Sequence, residues 1–137
     1  MYKVLVEKTL DMPRKKAFDT LVHFGGLQNA IPDLIASVDV TGEGIGAVRN
    51  IKMADGGTIV ERLDVAHDGS IFGYTILFND ALPFKNYTAI VTLEEAGDKT
   101  IARWGSNWEA DGATEPEIVE MLKEIYGALL DGLHKFI

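Results

Sequence analysis

The chain reads as an α+β protein in which a curved, seven-stranded antiparallel sheet wraps a long C-terminal helix. Two short helices follow the first strand. Three observations predict this. Between Ile35 and Ala110, six short segments alternate apolar and polar residues, most of them separated by tight turn signals such as Asp55-Gly56-Gly57, Asp68-Gly69 and Gly97-Asp98-Lys99. One more strand-like segment opens the chain. From Thr114 onward the apolar residues recur every three or four positions, which makes a wide stripe suited to lie across a sheet.

Taken in order, residues 2–10 form the first strand. "DMPRKKAFDTLVHF" predicts a short helix, with Pro13 at the first helical position, Asp11 as a cap, and Ala17, Phe18, Leu21 and Val22 as its apolar face. Gly25-Gly26 breaks it, and "LQNAIPDL" forms a second short helix or turn ending near Pro32. The strands "IASVDVTG", "AVRNIKM", "TIVERLDVAH", "SIFGYTILF", "YTAIVTLEE" and "TIARWGSNWEA" follow as a meander. The last helix is expected from about Thr114 to Phe136. Thr114 is its N-cap, Glu115 and Glu117 sit in the dipole-favoured first turn, and Ile118, Leu122, Ile125, Leu129, Leu133 and Phe136 form its stripe.

The 137 residues suit one domain, residues 1–137, with a single core. At 47% apolar and 25% charged, the composition is that of a soluble globular chain. A net charge of −8 argues against nucleic-acid binding and against docking on anionic membranes. With no cysteine there is no disulfide framework and no thiolate chemistry, which fits the cytoplasm. "MYKVLVEKTL" carries charges at Lys3, Glu7 and Lys8, so no signal-peptide stretch or membrane span is expected. The acidic surface fits a monomer or a weak homodimer. His23, His67 and His134 lie in separate elements without metal-ligand spacing, "GEGIGAVR" leads into a strand rather than a helix, and no serine sits on a strand-to-helix elbow. No metal or cofactor is therefore expected, and covalent catalysis has no support.

Strand parity singles out the stretch "GIGAVRNIKMADGGTIVERL". A three-residue Asp55-Gly56-Gly57 loop pairs Ala54 with Thr58, Ile51 with Glu61 and Arg49 with Leu63. One face then carries Arg49, Ile51, Met53, Ile59, Glu61, Leu63 and Val65. It is the apolar face, so it belongs inside and takes Arg49 and Glu61 with it as diagonal neighbours. Two inner charges are costly unless paired or wetted, so they form either a structural ion pair or a polar feature of a ligand pocket. Other strands add Trp104, Ser106 and Trp108, then Tyr74, Ile76 and Phe78, then Tyr87 and Ala89 to the inner side. Ile125 and Leu129 face them from the last helix. Buried hydroxyls among these aromatics need partners.

The combination G-x-V-R, D-G-G, E-R-L, N-Y and W-x-S-x-W, in the stretches "GIGAVRNIKMADGGTIVERLDVAHDGSIFGYTI", "LPFKNYTAIVTL" and "TIARWGSNWEADG", resembles the polyketide cyclase/dehydrase branch of the SRPBCC, START-like superfamily. That superfamily has the helix-grip fold, also seen in birch-pollen-allergen-like proteins and plant abscisic acid receptors. The resemblance spans nearly the whole chain. It implies a deep apolar cavity between sheet and C-terminal helix, occupied by a small hydrophobic molecule such as a lipid, sterol or polyketide. Glu61, Tyr87, Tyr74 and Arg49 match pocket positions of the hormone-receptor branch, and "DALPF" matches a mouth loop, so Leu82, Pro83 and Phe84 are implied gate residues. The Asp55-Gly56-Gly57 loop is shorter than the receptors' gate, and their ligand-binding lysine falls near Ala30, which weighs against a carboxylate ligand and a receptor role. Three functions stay open. The chain is a binding protein for a small hydrophobic ligand or lipid carrier, a cyclase/dehydrase using Arg49, Glu61 and Tyr74 for acid–base work, or a protein-interaction module such as a chaperone activator.

Overall fold

The computed structural model describes residues 1–23 and 25–135. The elements are β1 (Val4–Leu10), α1 (Arg14–Val22), α2 (Leu27–Ala30), β2 (Ile35–Thr41), β3 (Val48–Met53), β4 (Thr58–His67), β5 (Ile71–Asn79), β6 (Phe84–Ala96), β7 (Lys99–Ala110) and α3 (Glu115–Asp131). A turn of 3₁₀ helix, Leu133–Lys135, follows α3. One antiparallel sheet holds all seven strands in the order β1-β7-β6-β5-β4-β3-β2. The meander from β2 to β7 is complete, and β1 closes it by pairing with β7 from Val4↔Ser106 to Leu10↔Thr100.

The helix starts follow local chemistry. At α3, Thr114 and Glu117 form a capping box: the Glu117 N–H donates to the Thr114 hydroxyl at 3.4 Å, and the Thr114 N–H donates to the Glu117 carboxylate at 3.0 Å. The Thr114 N–H and the Thr114 hydroxyl, which donates to the same carboxylate oxygen at 2.8 Å, hold the Glu117 carboxyl below its ordinary range. At α1, the expected cap is replaced. Pro13 is itself the N-cap, with no side-chain capping bond, and Asp11 lies upstream of it. Proline has no N–H to donate and its extended ψ of 152° delivers the chain into the helix. The last helix ends at Asp131, short of the expected Phe136, because Gly132 caps it and the chain tightens into the 3₁₀ turn; Phe136 and Phe24 lie outside the described residues.

Two strands depart from the expected boundaries. β6 begins at Phe84 rather than Tyr87, so Phe84 belongs to a strand and not to the mouth loop. In β5, Ile76 pairs with Glu61 while Phe78 pairs with Val60, so Leu77 is an extra residue with no opposite. That bulge turns Phe78 away from the side shared by Tyr74 and Ile76, because one inserted residue reverses the alternation beyond it.

The core lies between the concave face of the sheet and α3. Val4, Leu63, Phe72, Val91 and Trp104 from the sheet meet Ile118, Leu122, Tyr126 and Leu130 from the helix, all essentially buried. The α3 helix contacts β1 and β7, and α2 leans on β2 and α3. The long helix therefore lies toward one side of the sheet. Space is left over β3, β4 and β5, under α2.

Candidate functional site

The β3–β4 hairpin places the two charges. Its register runs Arg49↔Glu61, Ile51↔Ile59 and Lys52↔Thr58, two residues away from the expected pairing. The turn explains the shift. The Met53 N–H donates to the Gly57 carbonyl at 2.9 Å, the Gly56 N–H to the Met53 carbonyl at 3.0 Å, and the Gly57 N–H to the Asp55 side chain at 2.9 Å. The hairpin therefore closes at Met53 and Gly57, and its three loop residues are Ala54, Asp55 and Gly56, with Gly56 supplying the left-handed φ of 99°; a loop one residue nearer the N-terminus moves the register by two. A shift of two keeps strand parity, so the inner face is the expected one. Arg49 and Glu61 are nevertheless directly opposed rather than diagonal.

Both side chains point inward, with Arg49 4% and Glu61 6% exposed. Arg49 Nε and Nη2 each approach Glu61 Oε1 at 2.5 Å. The guanidinium also stands 5.2 Å from the Tyr74 ring centroid, within cation–π range. Burial pushes the Glu61 carboxyl above its ordinary value, and the Arg49 charge and hydrogen bond oppose that rise.

Beside the pair runs a chain of buried polar groups. Trp104 Nε1 donates to the Tyr74 hydroxyl at 3.2 Å, and the Tyr74 and Tyr87 hydroxyls are 3.0 Å apart. Tyr87 and Tyr126 share a short hydrogen bond, and Tyr126 donates to Ser106 Oγ at 2.7 Å. The sense of the chain follows from valence. An indole N–H can only donate, and the single Tyr126 proton goes to Ser106, so Tyr87 donates to Tyr126 and Tyr74 donates to Tyr87. Burial holds the phenols of Tyr74, Tyr87 and Tyr126 above their ordinary range, so they remain protonated donors.

A cavity of about 60 Å³ lies against this constellation. Its sheet wall is Arg49, Ile51, Met53, Ile59, Glu61, Tyr74, Ile76, Phe84 and Tyr87. α3 contributes Leu122, Ile125, Tyr126 and Leu129, and the α2 region contributes Leu27, Ile31, Leu34 and Ile35. Leu82 reaches in from the β5–β6 loop. Among the described lining residues, Arg49 and Glu61 are the charged ones.

Most of the expected site residues thus converge: Arg49, Ile51, Glu61, Tyr74, Tyr87, Ile125, Leu129, Leu82 and Phe84 line one cavity. Five others are placed elsewhere. Trp104 is stacked on Tyr126, with ring centroids 5.0 Å apart and planes 9° from parallel, and Ser106 is occupied by the Tyr126 hydroxyl. Ala89 lies between them and Tyr74 in the sheet, paired with Tyr74 on one side and Ser106 on the other. α3 sits over this side of the sheet, so these residues back the cavity instead of lining it. Trp108 packs on Phe84 with the Lys3 ammonium 5.0 Å from its ring. Pro83 abuts Gly112, and its carbonyl accepts the Asp111 N–H at 2.9 Å, anchoring the loop to the β7–α3 connection.

The lining also takes in residues outside the expected site set, Leu27, Ile31, Leu34 and Leu122 among them; Tyr126 is the one of these additions that brings a hydroxyl, and periodicity alone passes it over. Its position four residues after Leu122 and three before Leu129 carries the helical signal, but adjacent Ile125 competes for the same stripe. Among the described residues, no group of three His, Asp or Glu side chains is placed to hold a metal ion, and no helix is long and apolar enough to cross a membrane.

The chain matches the family described as polyketide cyclase / dehydrase and lipid transport over residues 1–135. It belongs to that family. Among curated proteins none matches. Solved structures with the same fold include the protein XoxI from Bacillus cereus, 22% identical at a TM-score of 0.81 over 95% of this chain and 91% of that one. An uncharacterised protein from Bacillus thuringiensis is 24% identical at a TM-score of 0.80 over 97% of both chains. Ara h 8.0201 is 21% identical at 0.75 over 94% of this chain and 92% of that one. The fold of this family member is helix-grip, as in birch-pollen-allergen-like proteins.

Proposed function

We propose that the chain binds one small, uncharged, largely apolar molecule in the cavity between the sheet and α3. In this reading a hydroxyl or carbonyl of the ligand rests against Arg49 and Glu61. The observation that carries the reading is a buried ion pair set in the wall of an otherwise apolar cavity. Family membership supports it, since the family's description includes lipid transport.

The charge state of the ligand follows from the pair. Arg49 is already neutralised by a carboxylate 2.5 Å away. An anion entering beside it would meet Glu61 in a low-dielectric site, where like charges repel strongly. A neutral group that both donates and accepts can bond to either partner without parting them. The tyrosine hydroxyls donate to one another and to Ser106, which favours binding over proton transfer by Tyr74.

Calorimetric titration with 4-ethylphenol and 4-ethylbenzoate at neutral pH tests this directly. The phenol is expected to bind about tenfold or more tighter than the benzoate, as expected when a buried charge lacks a free counter-ion. Equal affinity, or preference for the benzoate, would refute the neutral-ligand reading.

A further inference from the structure

The ladder between β5 and β6 stops at Thr75↔Thr88, although both strands continue for several residues beyond it. Two bulges face each other across the interval. In β5, Leu77 is the unopposed residue, and in β6 the register against β7 shifts between Lys85 and Thr88, with Asn86 at a φ of 54°. Bulges bend their strands, and a pair at the same level drives the two strands apart. The far end of the gap is closed again by Asn79, whose Nδ2 donates to the carbonyls of Leu82 and Phe84 at 2.9 and 3.0 Å. The result is a window in the sheet of about 210 Å³, bounded at both ends.

The window adjoins the inner cavity. Ile76, Phe84 and Tyr87 line both spaces and form the partition between them. On the outer side, Leu77 and Phe78 are 49% and 52% exposed, so a sizeable apolar surface borders the opening. The inner cavity of about 60 Å³ is well short of the roughly 300 Å³ at which small-molecule sites begin, and the two spaces together come close to it.

We propose that the window is the outer subsite of the ligand site. The inner cavity takes the polar end of an elongated, uncharged amphiphile beside Arg49 and Glu61. The apolar remainder displaces the Ile76 side chain from this partition, passes beside the Phe84 and Tyr87 rings, which stack with centroids 5.2 Å apart, and lies along Leu77 and Phe78. This assignment rests on the ligand-binding reading above and adds to it a ligand length and an exit direction.

The test compares 4-ethylphenol with 4-octylphenol by calorimetry on the wild-type chain and on the Leu77→Ser/Phe78→Ser double variant. Both positions are about half exposed, so the variant retains the core, and circular dichroism checks that it does. Wild type is expected to bind octylphenol about tenfold or more tighter than ethylphenol, since each buried methylene contributes roughly fourfold. The double variant is expected to lose that advantage while its ethylphenol affinity stays within about threefold of wild type. A variant that keeps the wild-type ratio, or that weakens both phenols equally, overturns the window assignment alone. If neither phenol binds the wild-type chain, the ligand-binding reading itself falls and takes the window with it.

Discussion

Truncating one member of the Arg49–Glu61 pair is the sharpest perturbation available. Both side chains are more than nine-tenths buried and 2.5 Å apart. Removing either one leaves an uncompensated charge in an apolar wall, at a cost of about 3–5 kcal/mol. The two single variants should not be equal. Glu61→Leu strands a guanidinium that stays protonated throughout the accessible pH range. Arg49→Met strands a carboxyl that burial already drives toward its neutral form, so protonation offers it an escape. The expected order is therefore Glu61→Leu most destabilised, then Arg49→Met. The Arg49→Met/Glu61→Leu double variant should lie within about 1–2 kcal/mol of wild type or above it, because well-packed apolar replacements of a buried pair are often neutral or stabilising. Urea unfolding at pH 7 of all four proteins closes the double-mutant cycle. A loss of 3–5 kcal/mol corresponds to roughly 6–20 °C in melting temperature at about 2–4 °C per kcal/mol. If each single variant loses under about 1 kcal/mol, the value typical of exposed pairs, the pair is solvated and the burial argument is wrong.

Two further outcomes follow from the same geometry. The folded Glu61 carboxyl titrates above its ordinary 4.5, so between those values the native state holds more protons than the unfolded one. The contribution of this group is thus full below about 4.5 and is lost as pH rises through the folded pKa; the stability difference between wild type and Glu61→Gln, measured by urea titration from pH 4 to 8, should fall in that direction, and a flat difference would contradict it. Tyr126→Phe removes the middle of the hydroxyl chain and leaves the Tyr87 proton and Ser106 Oγ without that partner, at a cost of about 1–3 kcal/mol, so a change below about 0.5 kcal/mol in urea unfolding would show that the chain contributes little.

The order of elements was legible because each strand carries its own period-two pattern and each turn its own chemistry. The inner placement of Arg49 and Glu61 was legible for the same reason, and it survived a register two residues from the expected one, since parity is unchanged by an even shift. The bulges at Leu77 and Asn86 were not legible. A bulge is settled by which neighbour the strand must match on each side, and that information lies in β4 and β7 rather than in the strand itself. Tyr126 was passed over because Ile125 and Tyr126 flank the same helical angle, and a stripe read from sequence does not say which of them meets the sheet.

The sequence by itself determined which residues face inward wherever no bulge intervenes, Phe78 beyond the Leu77 bulge being the exception: alternation and helical spacing are local properties of the chain, enforced by the burial of apolar surface. It therefore determined the helix-grip order and the inner charged pair. Only the tertiary structure decided which inward residues meet the cavity. Because α3 lies toward β1 and β7, Trp104, Ser106 and Ala89 are sealed beneath Tyr126 and its neighbours, while Arg49, Glu61 and Tyr74 border the remaining space. The reason is physical: the position of one rigid helix across a curved sheet is a balance of contacts from distant segments, and no single segment encodes it.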